Sequence, residues 1–163
     1  MFPIMLNIRG RKCTVAGGGN VAERKVKTLL KYGADVTAVS PVFKDRFPNV
    51  KRLEKEYSSS DIKNSFLVIA ATDNKEVNQT IYNDAKKRNI LVSLSDDTEH
   101  SDFILPSSKN YDDITISVST NGKSPALAKK ISQIKSNDLE LYASILPIIE
   151  KYRSILISES RDT

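Results

Sequence analysis

The chain has 163 residues, a mass of 18.2 kDa and a formal net charge of +5, from 25 Lys and Arg against 20 Asp and Glu. That length holds one domain with a tail or a small helical appendage, and 39% apolar residues suffice for a core, which excludes wholesale disorder. The charge is mild and scattered with no basic–aromatic pattern, which speaks against nucleic acid, while one cysteine excludes an intrachain disulfide and one histidine a multi-histidine metal site.

The opening MFPIMLNIRG lacks the charged leader and long apolar core of a signal peptide, and no run approaches the roughly 20 apolar residues of a spanning helix. A cytoplasmic protein without a membrane partner is expected. Pro3 to Leu6 read as a short edge strand, and Cys13-Thr14-Val15-Ala16 as the first core strand. Gly17-Gly18-Gly19 follow, then a helix with Val21, Val26, Leu29 and Leu30 on one face, closed by Gly33. Asp35 to Val39 is the second strand, ended by Ser40-Pro41, and one short strand is expected between Val50 and Tyr57. Phe66 to Ala71 is continuously apolar, as in a parallel strand buried on both faces. Thr72-Asp73-Asn74 follow it; Asp73 or Asn74 caps the helix Lys75–Arg88, contacts a ligand, or does both.

Ile90 to Leu94 is the next strand, and the loop Ser95 to Asp102 after it is dense in titratable groups. Tyr111-Asp112-Asp113 form a turn, and Ile114 to Ser119 alternate as a strand with one solvated or interface face. Ser124 and Pro125 announce a helix to about Lys135, as N-cap and N1. A last helix from Leu139 to about Ile157 should kink at Pro147. Its wide apolar surface needs a partner, and a homodimer is expected. The pattern gives an α/β fold: a Rossmann-type, mostly parallel sheet with helices on both faces over residues 1–112, then a small dimerisation strand and helical region over 113–163.

Gly17-Gly18-Gly19-Asn20-Val21-Ala22 matches the dinucleotide fingerprint G-x-G-x-x-A between strand and helix. Gly17 allows the sharp turn, Gly19 lets a pyrophosphate approach the backbone, and Ala22 lets the helix pack close to the sheet. The helix start then faces the anion. A tight βα turn in another α/β protein remains the alternative. The acidic residue that often grips an NAD ribose at the second strand's tip is absent, with Ser40-Pro41-Val42 in its place. Backbone groups or Ser40 must hold that ribose, and Lys44 and Arg46 nearby would tolerate a 2′-phosphate. NAD is the expected cofactor.

Three motifs stand together: Gly17 to Lys25 (GGGNVAERK), Ala70-Ala71-Thr72-Asp73, and Phe103-Ile104-Leu105-Pro106-Ser107 followed by Gly122-Lys123-Ser124-Pro125-Ala126-Leu127-Ala128. Over Met1 to about Lys135 the sequence resembles the precorrin-2 dehydrogenase family of sirohaem biosynthesis, which includes the amino-terminal module of bacterial sirohaem synthase. The resemblance implies NAD-dependent oxidation of the tetrapyrrole precorrin-2 to sirohydrochlorin. It implies a catalytic aspartate at Asp96, with Asp97 the neighbouring alternative. It carries cofactor contacts onto Asn20, Val21, Pro41, Val42 and Thr72, beside Gly17 and Gly19, and substrate contact onto Ser124.

A carboxylate suits proton removal if burial raises its pKa; Asp96 is otherwise a turn or N-cap aspartate. Ser124 contacts a substrate carboxylate or simply caps its helix. Lys123, with Lys129 and Lys130, attracts a polycarboxylated substrate or forms a solvated face. His100 reads as a surface residue. The expected reaction is dehydrogenation alone, with no resident metal. The chelatase activity of some relatives is not expected, because metal-suited side chains are few and the carboxyl-terminal region is short. A non-catalytic NAD-sensing or ligand-binding module is the competing class.

Overall fold

The computed structural model describes residues 1–133 and 144–153. It divides into two compact units, Met1–Ile104 and Leu105–Thr163. This division falls earlier than the expected one after residue 112, because residues 107–111 form a strand that pairs with the next one and so belong with it.

The first unit runs β1 (Lys12–Ala16), α1 (Asn20–Lys31), β2 (Asp35–Ser40), β3 (Lys51–Glu54), β4 (Leu67–Ala70), α2 (Lys75–Lys87) and β5 (Leu91–Leu94). Its sheet has the order β3-β2-β1-β4-β5. Every neighbouring pair is parallel. Crossovers of this kind are right-handed. The step from β1 to β2 and the step from β4 to β5 run in opposite directions across the sheet, so α1 and α2 cover opposite faces. The chain order reverses between β1 and β4, and the carboxyl ends of those two strands flank the crevice where such sheets take ligands.

The core follows from the apolar runs. Val15, Ala16, Val68, Ile69 and Ala70 are fully buried in the two central strands. Ile62, from the turn before β4, packs with Ile81 and Ala85 of α2 and Val92 of β5. In α1 the buried face is Ala22, Val26 and Leu29. Val21 and Leu30, expected on that face, are 40% and 39% exposed, because the sheet side follows the 22/26/29 spacing and leaves its neighbours at the rim. Gly33, at φ 76°, closes α1 with its N–H on the Leu30 carbonyl and the Ala34 N–H on that of Leu29. This is a Schellman close. Asn89, at φ 54°, ends α2 in the same way.

Several expected boundaries move. Pro3 to Leu6 form no strand; Ile4, Met5 and Leu6 are exposed. The strand expected within Val50–Tyr57 is the four-residue β3, a charged and exposed edge. In the second unit β6 (Ser107–Tyr111) and β7 (Ile114–Val118) form an antiparallel hairpin, turning at Asp112 with φ 48°. α3 (Pro125–Ser132) packs on both strands, and the Ser107 and Ser132 hydroxyls meet at 2.7 Å. β6 was not foreseen: Ser-Ser-Lys-Asn-Tyr has no alternation, and it is a strand because it pairs with β7. α3 stops at Ser132, short of Lys135. Residues 144–153 are helical through Pro147, and the rest of the expected last helix lies outside the described residues.

Candidate active site

The first βα turn is built by three glycines with different duties. Gly17 sits at φ 128°, and a Cβ there would come within 2.3 Å of the Ala71 carbonyl oxygen, beyond the end of β4. Its N–H donates to Val39 O at 2.8 Å, tying the turn to β2. A Cβ on Gly18 would lie 2.0 Å from Val42 O, in the loop after β2. Gly18 was given no role by the fingerprint, yet it is as confined as Gly17; the run of three glycines was the signal. Gly19 is the reverse case: a Cβ there would meet nothing within 4 Å. Ala22 stands directly beneath, fully buried, 3.2 Å from the Cβ position of Gly17.

This is a fitting cradle for a dinucleotide diphosphate. Two glycines let the turn close against β4 and the β2 tip, and the third leaves an open approach at the N-cap of α1. Asn20 and Val21 follow on the first helical turn, where Val21 is exposed. The Asn20 side-chain oxygen accepts a hydrogen bond from Lys44 Nζ. Pro41 and Val42 form the exposed tip of β2, with Val42 76% accessible. Ser40 is buried and donates its hydroxyl proton to Val42 O at 2.7 Å, so it shapes the tip.

On the other flank, α2 opens with Asn74, whose side chain accepts from the Glu76 and Val77 N–H groups. Thr72 lies just before it, half-buried. Its hydroxyl donates to Asn78 Oδ1 at 2.7 Å, and its N–H reaches the same oxygen at 3.3 Å. Asn78 Nδ2 returns a bond to Thr72 O and gives a second to Asp96 Oδ1, both at 3.2 Å. The structure therefore joins the loop after β4 to the loop after β5 through Asn78, which is 2% exposed. Asn78 was missed in the sequence. The signal was its position: it falls on the apolar stripe of α2 with Ile81 and Ala85.

The loop Ser95–Asp102 folds back onto β5. Ser101 Oγ accepts from Leu94 N at 2.8 Å and donates to Asp97 O at 2.7 Å. Asp102 receives Val92 N–H and the Lys86 ammonium. Asp97 and Asp96 then differ in kind. Asp97 accepts from the Glu99 and His100 N–H groups and meets His100 Nδ1 at 2.7 Å. Those His100 bonds, backbone first, hold its carboxyl below the ordinary 3.8. It is a loop staple, and His100 is its exposed partner. Asp96 is exposed, with Oδ2 unpartnered among the described residues, so its own loop and α2 do not supply the burial expected for a proton acceptor.

A lowered carboxylate contributes order that is complete above its ordinary value and lost as pH falls through the lowered one. The protection factors of the Glu99 and His100 amides are therefore expected to hold down to about 3.8 and to drop below it. Asp97→Asn, which keeps an acceptor without the charge, should show no such step in hydrogen exchange followed by NMR.

In the second unit Ser124 is the N-cap of α3; its oxygen accepts from Leu127 N at 3.2 Å and its N–H donates to Thr120 Oγ1. Lys123 is exposed at the same turn. Among the described residues no three His, Cys, Asp or Glu side chains gather as a metal site, and no helix is long and apolar enough to cross a membrane.

Residues 4–107 match the family model described as "Putative NAD(P)-binding", and residues 112–131 match "Sirohaem biosynthesis protein central". The chain belongs to the NAD(P)-binding family that the first of these models describes, which spans more than half of it. It is 42% identical over 138 residues to a siroheme synthase of Photobacterium profundum, covering 81% of this chain and 29% of that one. A siroheme synthase of Nitrosococcus oceani is 35% identical over 160 residues, 94% of this chain and 34% of that one. The chain thus spans about a third of the length of these relatives. The solved structure of "SirC, precorrin-2 dehydrogenase" superposes with a TM-score of 0.75 at 27% identity, over 90% of this chain and 77% of that one. The family and the fold are as the sequence motifs implied, and the cofactor is a nicotinamide dinucleotide.

Proposed function

We propose that this protein oxidises precorrin-2 to sirohydrochlorin with NAD, the reading supported by the sirohaem-biosynthesis relatives and the precorrin-2 dehydrogenase neighbour. The observation that carries it is the link from Thr72, beside the dinucleotide crevice, through Asn78 to the Asp96 carboxylate. When bound, NAD supplies the hydride acceptor. The chain's part is to hold the diphosphate at Gly19, Asn20 and Val21 and the ribose at the backbone of Pro41 and Val42. Asp96 Oδ2 takes the proton that leaves with the hydride. A tetrapyrrole laid over this exposed carboxylate would shield the proton transfer from bulk solvent.

The single buried cysteine suits a reducing cytoplasm. Ser124 and Lys123 are proposed to meet substrate carboxylates at the start of α3. The second reading is a module that binds NAD without turnover, and the exposure of the Asp96 carboxylate is the observation that favours it. Incubating the purified protein with precorrin-2 and NAD separates them: NADH formed in step with sirohydrochlorin supports the dehydrogenase, and NADH binding without turnover supports the module.

Ile145, Ile148, Ile149 and Tyr152 are exposed along the helical residues 144–153. This apolar surface supports a homodimer. Sedimentation should give about twice 18.2 kDa, and a stable monomer would contradict it.

A further inference from the structure

Resting on the reading of Asp96 as proton acceptor, we propose that Asn78 is a positioning residue: it fixes the Asp96 carboxylate relative to the cofactor crevice and acts on the reaction through that carboxylate.

Three observations carry this. Asn78 is the one large polar side chain among the fully buried residues of α2, in line with Ile81 and Ala85. Burying an amide there is unfavourable unless its polar atoms are paired. Every hydrogen-bonding group of the amide is indeed used: Oδ1 accepts the Thr72 N–H and hydroxyl, and Nδ2 donates to Thr72 O and Asp96 Oδ1. The amide cannot be reversed. The Thr72 N–H can only donate and its carbonyl only accept, so Oδ1 must face the first and Nδ2 the second. With both Thr72 bonds in place, the second Nδ2 proton points to Asp96 by geometry, and a carboxylate is the acceptor suited to it.

The consequence is mechanical. Asp96 lies near the start of an exposed loop whose other side-chain tie to α2, Lys86 to Asp102, is at the loop's far end. One of its oxygens is pinned by Asn78, and the other, Oδ2, remains for the proton. Without the pin the carboxylate samples other rotamers, and the reacting geometry is reached less often. The pin and the cofactor-side loop share one amide, so the carboxylate is set in register with Thr72.

The test uses the full chain with precorrin-2 and NAD. Asn78→Asp is isosteric and keeps an acceptor for the Thr72 N–H and hydroxyl but removes the donor to Thr72 O and to Asp96. It should lower kcat at least about tenfold, with NADH affinity within about twofold. Asn78→Ala, the second variant should the buried aspartate unfold the chain, should lower kcat at least as much. In the Asp96→Asn background either substitution should cost less than about twofold, since the residue it acts through is gone. Turnover within twofold of wild type in a folded Asn78 variant, or a loss that multiplies with that of Asp96→Asn, overturns the positioning role. Near-normal turnover of Asp96→Asn would instead sink the proton-acceptor reading beneath it, so the two failures are told apart.

Discussion

Asp96→Asn should lower kcat by about 10²- to 10⁴-fold, the range for removing a general base, while leaving NAD binding in place. The substitution is close to isosteric, and Asn78 Nδ2 can still donate to the new amide oxygen, so the loop keeps its anchor. The cradle at Gly17 to Gly19 lies on the β1 side of the crevice and does not use Asp96. The loss should therefore appear in kcat with KM for NAD nearly unchanged, the signature of an interaction that matters in the transition state. Asp97→Asn is the control: that carboxylate is occupied by Glu99, His100 and its own loop, and turnover should fall by less than about fivefold. Equal losses at the two positions would mean the loop's order, not one carboxylate, is being measured.

Gly17→Ala and Gly19→Ala should fail in opposite ways. At Gly17 the new methyl would stand 2.3 Å from a backbone oxygen and force a side chain onto φ 128°. Neither the turn nor the end of β4 can yield cheaply, and a loss of at least about 3 kcal/mol is expected, enough to unfold much of a marginal domain. At Gly19 the methyl meets no protein atom within 4 Å, and φ is an ordinary −88°. Stability should change by no more than about 1 kcal/mol. The methyl would occupy the approach to the α1 N-terminus, however, and NADH affinity should fall at least about tenfold. Denaturant titration and fluorescence-monitored NADH binding separate the two effects. Gly19→Ala with normal affinity would place the diphosphate elsewhere.

The sequence made the sheet legible because parallel strands buried on both faces are continuous apolar runs, and Gly33 and Asn89 mark where the helices between them stop. Gly17, Gly19 and Ala22 were readable because each duty follows from a missing or small side chain. Three features were not. β6 exists only because β7 pairs with it, a tertiary fact absent from the string Ser-Ser-Lys-Asn-Tyr. Val21 and Leu30 are apolar but lie at the rim, because periodicity locates a face only to within a residue on either side. Asn78 was passed over because a polar residue in a helix reads as surface. Its place in the buried stripe, one turn after the Asn74 cap, was the clue that it served the two loops above it.

Asp96 was located by resemblance and not by pattern. Two adjacent aspartates in a polar loop are indistinguishable until their hydrogen bonds are seen. Asp97 then proves to be the staple, and Asp96 is tied to α2 by a single bond with one oxygen left over.

A crystal of this chain soaked with NAD tests the central claim most directly. The account predicts the diphosphate against the Gly19 N-cap, the adenosine ribose at the backbone of Pro41 and Val42, and the nicotinamide ring reaching toward Asp96 past Thr72. Density for the dinucleotide at another face of the sheet, or a nicotinamide directed away from Asp96, would contradict it.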